Sequence, residues 1–375
     1  MCRTTFLYNS RAVTGRALLG LVAAGWLWIF SCLPVGETSA AEPTERLSRI
    51  TWIDVHVHLV GGRGKNEDYG GAARAALAIM QEAGLRKLVV MPPPQAYGNV
   101  PPYDYESFAA HLKEYPKSFA FLGGGGSLNP MLQAAGESAE VGVELRQSFE
   151  SKAMEILRQG ARGFGEITAH HLSHQADHPY ESVSADHPLL LLLADIAARS
   201  NAVIDFHFDV VTEDTNARAW MSSPPNPSSF RANLASFERL LQHNPKATIV
   251  WAHAGSDMFG HWTTDLSRTL LQKYPNLHMS LRMAPGRAPE NHPLTREGEV
   301  RQHWLRLLRD FPDRFVIGGD QFIASLSVRG EGPGLTFSQR APITRERTRT
   351  FLERLPPDLY RKIAYENAIR LYGLE

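Results

Sequence analysis

Six side chains of the types that bind divalent metal ions stand at the ends of short apolar runs of the chain. They are four histidines and two acids: His56, His58, Glu166, His207, His253 and Asp320. Imidazoles and carboxylates around one open coordination position are the usual composition of a catalytic zinc site. Residues i and i+2 of a strand point to the same side, so His56 and His58 can bind one ion together. The sequence therefore predicts a metal centre that activates water.

The apolar runs that carry these residues are predicted to be strands of a parallel sheet. Eight such runs cover residues 50–57, 85–91, 119–123, 161–167, 202–208, 247–252, 277–281 and 314–318. Helical patterns lie between or after them at residues 72–83, 144–159, 188–199, 230–242, 266–273, 300–309 and 345–355. The strands recur at roughly the spacing of βα units and are apolar on both faces, as in a parallel sheet covered by helices.

This repetition predicts an α/β fold, a (β/α)8 TIM barrel over residues 42–375. In such a barrel the C-terminal strand ends converge on one pocket, so the six side chains would meet although they are spread along the chain. A doubly wound open sheet is the alternative. Its Gly-rich turn would follow the first strand, where His56 and His58 stand instead.

The first 41 residues differ from the rest and have the layout of a secretory signal peptide. Three arginines precede an apolar run over residues 17–30, and small residues follow just before Glu42. The run is short for a membrane span, which needs about 20 residues. We therefore expect cleavage near Ala41 and export, to a periplasmic location, without stable membrane insertion afterwards. Lipid attachment at Cys32 and an uncleaved anchor are the alternatives.

The composition argues against several classes of function. The formal net charge is zero, so no basic surface for nucleic acid is indicated. Both cysteines, Cys2 and Cys32, lie in the N-terminal segment. The cleaved protein would therefore have no disulfide, no Cys-bound zinc and no Cys nucleophile. The expected partner is a small-molecule substrate, and a homo-oligomer stays open.

The ordered set of ligand candidates resembles that of the amidohydrolase superfamily. Its members carry His-x-His on strand one, one His each on strands five and six, and an Asp on strand eight. The matching residues here are His56, His58, His207, His253 and Asp320. The chain's ending, residues 366–373, is also similar to that of the amidohydrolase-related group. The resemblance covers residues 50–375 and implies a divalent metal cofactor, with Zn²⁺ the first choice although manganese and iron accept the same ligands.

The fourth strand departs from the pattern of many binuclear members, where a carboxylated lysine bridges two ions. Glu166 stands there instead, and a glutamate serves as the bridge in some members, including the TatD-like enzymes. Other relatives use a single ion, so one ion and two stay open. If two bind, the resemblance implies one ion on His56, His58, Glu166 and Asp320, and the other on Glu166, His207 and His253.

The resemblance implies hydrolysis of a small ester, lactone, amide or related substrate. Asp320 is expected to accept the proton of the attacking water and pass it to the leaving group. His253 or Arg282 would help to stabilise the oxyanion. Arg282, at the end of strand seven, could also bind an anionic group of the substrate, with a salt bridge to Asp320 or Glu166 as its alternative.

A histidine-rich segment follows the predicted fourth strand directly. It contains His170, His171, His174 and His178. One member, with His170 nearest the strand, could contact substrate or complete a metal shell. A solvated loop is the alternative.

Four other residues of the same regions have structural alternatives. His261 and Trp262, after strand six, could form part of the substrate pocket, or could simply pack. Asp54 and Asp205 are expected to point away from the metal-facing histidines and to make structural hydrogen bonds.

Three other functions are compatible with parts of the pattern. A metal-dependent non-oxidative decarboxylase would use the same scaffold and ligands, because loops set the chemistry. A TatD-like nuclease is disfavoured by the balanced charge. An exported metal-binding protein without turnover gains support from the histidine-rich segment, but such a protein has no need of a base such as Asp320.

Overall fold

The computed structural model describes residues 50–62, 67–96, 98, 103–136, 138, 140–174, 178–221, 225–284, 288–328 and 338–375. The expected signal peptide, residues 1–41, lies outside these ranges, so export stays a prediction. No helix within the described ranges is long and apolar enough to cross a membrane.

Thirteen strands occur in the described residues. They are β1 (Trp52–Val60), β2 (Leu85–Val90), β3 (Phe119–Phe121), β4 (Gly123–Gly124), β5 (Gly163–His171), β6 (Glu181–Ser182), β7 (Val203–Phe208), β8 (Thr215–Asn216), β9 (Ser229–Phe230), β10 (Thr248–Ala254), β11 (Leu277–Leu281), β12 (Phe315–Ile317) and β13 (Gln321–Ala324). Strands β8 and β9 form a separate antiparallel pair. The others belong to one large sheet, in which only β6 runs antiparallel to its neighbour.

The large sheet is a closed barrel. Its pairing order is β3-β2-β1-β12-β11-β10-β7-β5-β4, and the first and last members are consecutive pieces separated only by Leu122. Leu122 N donates to Val90 O (2.9 Å) on one side, and Arg162 N donates to Phe121 O (2.8 Å) on the other. The third barrel strand is therefore β3 and β4 together. The eighth is β12, and β13 continues along the same edge of β1.

Helices connect and cover these strands. They are α1 (Tyr69–Ala83), α2 (Ala109–Lys113), α3 (Leu128–Ala135), α4 (Val143–Arg158), α5 (Pro188–Ser200), α6 (Leu234–His243), α7 (Thr264–Lys273), α8 (Gln302–Asp310), α9 (Ala341–Glu353), α10 (Pro357–Arg361) and α11 (Asn367–Tyr372). Helix α1 begins where Asp68 accepts a hydrogen bond from Gly71 N and ends at Gly84, whose φ of 79° suits a residue without a side chain. The apolar faces of the longer helices pack on the barrel in one core, and Ala368 and Tyr372 of α11 pack in a second cluster with Ile53 and Val55.

The predicted α/β barrel is confirmed, and every predicted strand overlaps a barrel strand. The differences are at element ends. Strand β5 continues to His171, so His170 and His171 are strand residues and do not lie in a loop after it. The helix predicted from residue 230 begins at Leu234, because Ser229 and Phe230 pair with β8 instead.

The interior of the barrel contains two acids that were expected to point away from the histidines. Asp54 and Asp205 are fully buried. Each precedes a ligand candidate by two residues, so each points to the same side as that histidine. Asp54 Oδ1 accepts hydrogen bonds from Gly319 N (2.8 Å) and His56 N (3.2 Å). The expectation that they alternate away was therefore wrong.

Candidate metal centre

His56 and His58 project from β1 into the barrel and face each other. Their Nε2 atoms are 3.1 Å apart, and both side chains are fully buried. Two imidazole lone pairs cannot approach so closely in a buried site unless a proton or a cation lies between them. The pair therefore has the geometry of two ligands of one cation.

The other ring nitrogen of each histidine faces an acceptor. His58 Nδ1 is 2.9 Å from Met91 O, and His56 Nδ1 is 3.0 Å from Asp205 Oδ1. His58 Nδ1 can donate its proton to Met91 O, which leaves its Nε2 lone pair directed into the centre, whereas His56 Nδ1 and Asp205 Oδ1 are close but form no hydrogen bond. Metal-bound histidines are oriented in this way by a carboxylate or a carbonyl behind them.

Glu166, on β5, lies between two pairs of histidines. Its Oε2 is 3.3 Å from His56 Nε2 and 3.4 Å from His58 Nε2. Its Oε1 is 2.8 Å from His207 Nδ1 and 3.0 Å from His253 Nε2. Oε2 thus faces the pair His56 and His58, and Oε1 faces the pair His207 and His253. We call these pairs the first and the second ligand group, and the Glu166 carboxylate lies between them.

Asp320 approaches the first group from the end of the eighth barrel strand. Its Oδ1 is 3.3 Å from His58 Nε2 and 4.0 Å from His56 Nε2. The turn that delivers it needs glycine at Gly318, since a Cβ there would lie 2.7 Å from the Cβ of Ser280. Asp320 and His253 both have positive φ, 50° and 72°. Such backbone strain in residues with side chains is typical of functional sites.

The atoms of both groups fit divalent ions. Ligand atoms around a tetrahedral zinc ion lie about 3.3 Å apart, given metal–ligand distances of about 2.0 Å. The Nε2 atoms of His56 and His58 are 3.1 Å apart, and each lies 3.3 to 4.0 Å from Glu166 Oε2 and from Asp320 Oδ1. Both triplets, His56–His58–Glu166 and Glu166–His207–His253, are buried and compact enough to hold an ion.

The electrostatics of the centre favour charged carboxylates. Burial alone would raise the pKa of Glu166, but His56 and the hydrogen bonds from His207 and His253 lower it well below its usual range. Burial likewise opposes ionisation of Asp320, but the Arg282 guanidinium, the hydrogen bond from His58 and the charges of His253 and His56 together more than offset it, so the pKa of Asp320 is also lowered.

Burial lowers the pKa of His56, His58 and His207, but the neighbouring carboxylates more than offset this and raise it, to about 10 for His207, so a bound cation would displace protons from these rings. Burial lowers the pKa of His253 to about 4. Charged carboxylates and a neutral imidazole are the forms that coordinate a metal ion.

A pocket opens beside the second group of ligand candidates. His207, His253, Ser256, Trp262 and Arg282 are among the residues that line it. The Trp262 ring stacks on Trp251 with centroids 3.6 Å apart. A small molecule in this pocket would contact both the ligand histidines and a guanidinium.

Of the three residues expected to bind substrate, Arg282, His170 and His261, only Arg282 lines the pocket. Its Nη2 also forms a salt bridge to Asp320 Oδ2 (2.8 Å), which is the alternative that was predicted beside substrate binding. His170 has both ring nitrogens engaged elsewhere, by Asp209 O (2.6 Å) and the Tyr180 hydroxyl (3.3 Å). His170 does not lie at the candidate metal centre. Register shifts between β5 and β7 turn its neighbour His171 towards His207 instead.

His261 also lies off the pocket, whereas its neighbour Trp262 lines it. His261 Nδ1 accepts a hydrogen bond from Thr212 N (3.1 Å). The pocket wall on this side is therefore the indole, and His261 fastens one loop to another.

Sequence reasoning missed Asp209, which lines the pocket. Its Oδ2 is 3.5 Å from His207 Nε2 and accepts a hydrogen bond from Leu172 N (2.9 Å). Asp209 thus lies behind His207 as Asp205 lies behind His56. The sequence could have indicated Asp209, because it follows the ligand candidate His207 by two residues.

Comparison with known proteins gives one family match and several distant structural neighbours. The family described as amidohydrolase matches residues 53–374. No curated protein matches the chain. The three solved structures described next are 11 to 14% identical to it, with TM-scores below 0.5.

These three structures are enzymes with different reactions. A 2,6-dihydroxybenzoate decarboxylase from Rhizobium is 11% identical, with 86% of this chain and 98% of that chain covered and a TM-score of 0.42. A 4-oxalomesaconate hydratase from Rhodopseudomonas palustris is 14% identical, with 86% and 95% covered and a TM-score of 0.44. A dihydroorotase from Saccharomyces cerevisiae is 12% identical, with 87% and 84% covered and a TM-score of 0.46.

Proposed function

The chain belongs to the amidohydrolase family of metal-dependent enzymes, and on that premise we propose that it hydrolyses a small ester, lactone, amide or related substrate with a metal-activated water. The six residues proposed to hold the metal are His56, His58, Glu166, His207, His253 and Asp320. Zn²⁺ is the proposed ion, because imidazole and carboxylate ligands at near-tetrahedral spacing suit it.

The position of Glu166 is the observation that carries this proposal. Its two oxygens face two different histidine pairs at 2.8 to 3.4 Å. A carboxylate so placed can bridge two ions, which favours a binuclear centre. Two ions held there would supply sites for an attacking water and a substrate oxygen.

Asp320 is the proposed general base. When bound, the metal lowers the pKa of water from 15.7 towards about 7, so that hydroxide is available near neutral pH. Asp320 Oδ1 faces the ligand group, and Arg282 holds Oδ2 at 2.8 Å. Oδ1 is thereby oriented towards His56 and His58, where it can accept a proton from water and later return it to the leaving group.

Arg282 and His253 are the proposed stabilisers of negative charge on the substrate. Both line the pocket. Arg282 Nη1 donates to Ser256 Oγ (3.2 Å), so the guanidinium is held in place before substrate binds. A preorganised cation stabilises a developing oxyanion without reorganisation at the moment of reaction.

A substrate panel tests the reaction class. The purified chain would be stripped with a chelator, reloaded with Zn²⁺, and assayed on small esters, lactones, amides and aromatic carboxylic acids. Hydrolysis that is lost on stripping and restored on reloading supports the proposal. Release of CO2 from an aromatic carboxylic acid would instead identify a metal-dependent decarboxylase. Retained metal without turnover of any substrate would favour a metal-binding protein.

We also propose that the enzyme is exported after cleavage near Ala41. The proposal rests on the arginines, the apolar run at residues 17–30 and the small residues that follow. N-terminal sequencing of the protein secreted by a bacterial host tests it. A new N-terminus within a few residues of Glu42 is expected, whereas an intact Met1 in the cytoplasm would contradict it.

A further inference from the structure

The turn that carries Asp320 contains one residue more than the stretch of β1 that it faces. Ile317, at the end of β12, lies opposite Asp54, whereas Gln321, at the start of β13, lies opposite Val57. Between these two pairings the turn advances four residues and β1 advances three. An extra residue of this kind re-aims a side chain, as in a β-bulge. The φ of 50° at Asp320 belongs to this turn.

The carboxylate of Asp54 occupies the space inside the turn. Its Oδ1 accepts hydrogen bonds from Gly319 N (2.8 Å) and His56 N (3.2 Å), and its Oδ2 accepts one from Gln321 Nε2. A Cβ on Gly319 would lie 2.5 Å from Asp54 Oδ2, so glycine leaves the room that the carboxylate needs. One fully buried acid therefore joins the backbone beside Asp320 to the backbone of a ligand candidate.

Gln321 connects this acid to helix α9. Its side chain is buried, and its Oε1 accepts a hydrogen bond from Arg345 Nη1 (2.9 Å). The amide cannot rotate by half a turn, because its NH2 group must face the carboxylate and its oxygen must face the guanidinium. The direction of the chain is therefore fixed: Arg345 donates to Gln321, and Gln321 donates to Asp54. Hydrogen bonds linked in this way support one another and hold one arrangement.

We propose that Asp54, Gln321 and Arg345 form a positioning network for the proposed general base. The inference rests on the proposed function, and it assigns a role to three residues that act through Asp320. Strained backbone persists only where the surrounding structure holds it in place, and the network supplies that support next to Asp320. Proton transfer depends on the position of the accepting oxygen, so a displacement of Asp320 Oδ1, which lies 3.3 Å from His58 Nε2, would slow the reaction.

A double-variant cycle tests the network. Asp54→Asn would set an NH2 group against the NH2 group of Gln321, and Gln321→Glu would set two carboxylates against each other. In the double variant Asp54→Asn/Gln321→Glu the new amide donates to the new carboxylate, whose other oxygen still accepts from Arg345. Each single variant should lower kcat by about 10 to 100 fold with KM nearly unchanged, because the base moves and the pocket does not. The double variant should recover most of this loss, since the hydrogen bonds are restored.

Two results would overturn the proposal. Single variants with the kcat of the wild type but lower stability in urea would show that the network only holds the barrel closed. A folded double variant as slow as the single variants would show that the hydrogen bonds do not set the rate. If a single variant fails to fold, Arg345→Met, which removes only the half-buried outer member, takes its place and should lower kcat with KM unchanged. Asp195→Asn, at an acid that accepts from Asn244 Nδ2 (2.8 Å), is the control and should keep the kcat of the wild type.

The Co²⁺-loaded protein gives a readout that needs no turnover. The visible absorption of Co²⁺ depends on the number and arrangement of its ligands, and Asp320 is one of the ligand candidates. The spectrum should change in each single variant and return in the double variant. Spectra that are the same in all four proteins would overturn the positioning role even if the chain is an active hydrolase. A wild type without hydrolysis whose spectrum follows the cycle would contradict the proposed function and support the network.

Discussion

At the scale of single residues, acids behind the histidines decide how the candidate ligands are oriented. Asp205 is fully buried and lies 3.0 Å from His56 Nδ1. Its negative charge lies directly behind His56 and can support that imidazole as a metal ligand, although the two atoms are not aligned in a hydrogen bond. The ligand residues could be found from the sequence because each stands at or near the end of an apolar run. Asp205 was misassigned because the i, i+2 rule was applied to His56 and His58 but not to Asp205 and His207.

The first prediction concerns this supporting acid. Asp205→Asn should lower metal affinity by about 10 to 100 fold, because the amide cannot supply the negative charge behind His56. Competition against a chelator of known affinity would measure the effect. Asp195→Asn, at a partly exposed acid that contacts His243 and Asn244, is the control and should bind metal as the wild type does. Unchanged affinity in Asp205→Asn would show that His56 does not depend on this contact.

The second prediction concerns the proposed base. Asp320→Asn should lower kcat by about 10² to 10⁴ fold, the usual contribution of general acid–base catalysis. The readout is steady-state kinetics on the best substrate of the panel, together with zinc content. Wild-type activity in this variant would remove Asp320 from the mechanism.

At the scale of elements, small irregularities of strand pairing control which histidine reaches the site. Pairing between β5 and β7 shifts register twice, between Phe164 and Ile167 and between Thr168 and His170. Each shift reverses the inward and outward alternation that a sequence reading assumes. His170 was singled out because it lies nearest the predicted strand, whereas in the structure His171 packs on His207 with ring centroids 4.1 Å apart. No pattern in the residue types marks such a shift.

The third prediction concerns the side chain that fixes this region. Asn129 is fully buried, its Oδ1 accepts from Thr168 N (3.0 Å), and its Nδ2 donates to Glu181 and Gln95 O. Asn129→Ala should lower the free energy of unfolding by about 2 to 3 kcal/mol, because these buried groups lose their partner. Urea denaturation measures it, with Asn216→Ala on the exposed strand β8 as a control that should stay within about 0.5 kcal/mol of the wild type. A similar small change in both variants would contradict the structural role of Asn129.

At the scale of the whole molecule, closure of the barrel brings together residues from opposite ends of the chain. Asp54 on β1 is hydrogen-bonded to Gly319 beside the eighth strand. The repeated strand and helix pattern was enough to predict this arrangement, because eight βα units have few alternative ways to bury both faces of every strand. The short helices α2, α3, α10 and α11 were not predicted, because they are too short to show an apolar period.

The fourth prediction concerns the pH dependence of stability. Burial lowers the pKa of His278 on β11 to about 3, and Arg314 and Arg370 add to this. Below pH 6.5 the unfolded chain binds a proton that the folded protein does not, so stability falls as the pH falls towards about 3. Between pH 7.5 and 5, His278→Gln should lose about 2 kcal/mol less stability than the wild type. Urea midpoints at both pH values measure this, and parallel losses in the two proteins would contradict it.

The most direct test of the central claim is metal content per chain in the wild type and in Glu166→Ala. A Glu166-bridged centre predicts two ions, falling to one or none when the carboxylate is removed, because each oxygen faces a different histidine pair. One ion that is unchanged by the substitution would contradict the bridge and make Glu166 a substrate residue. No metal in either protein would contradict the metal centre itself.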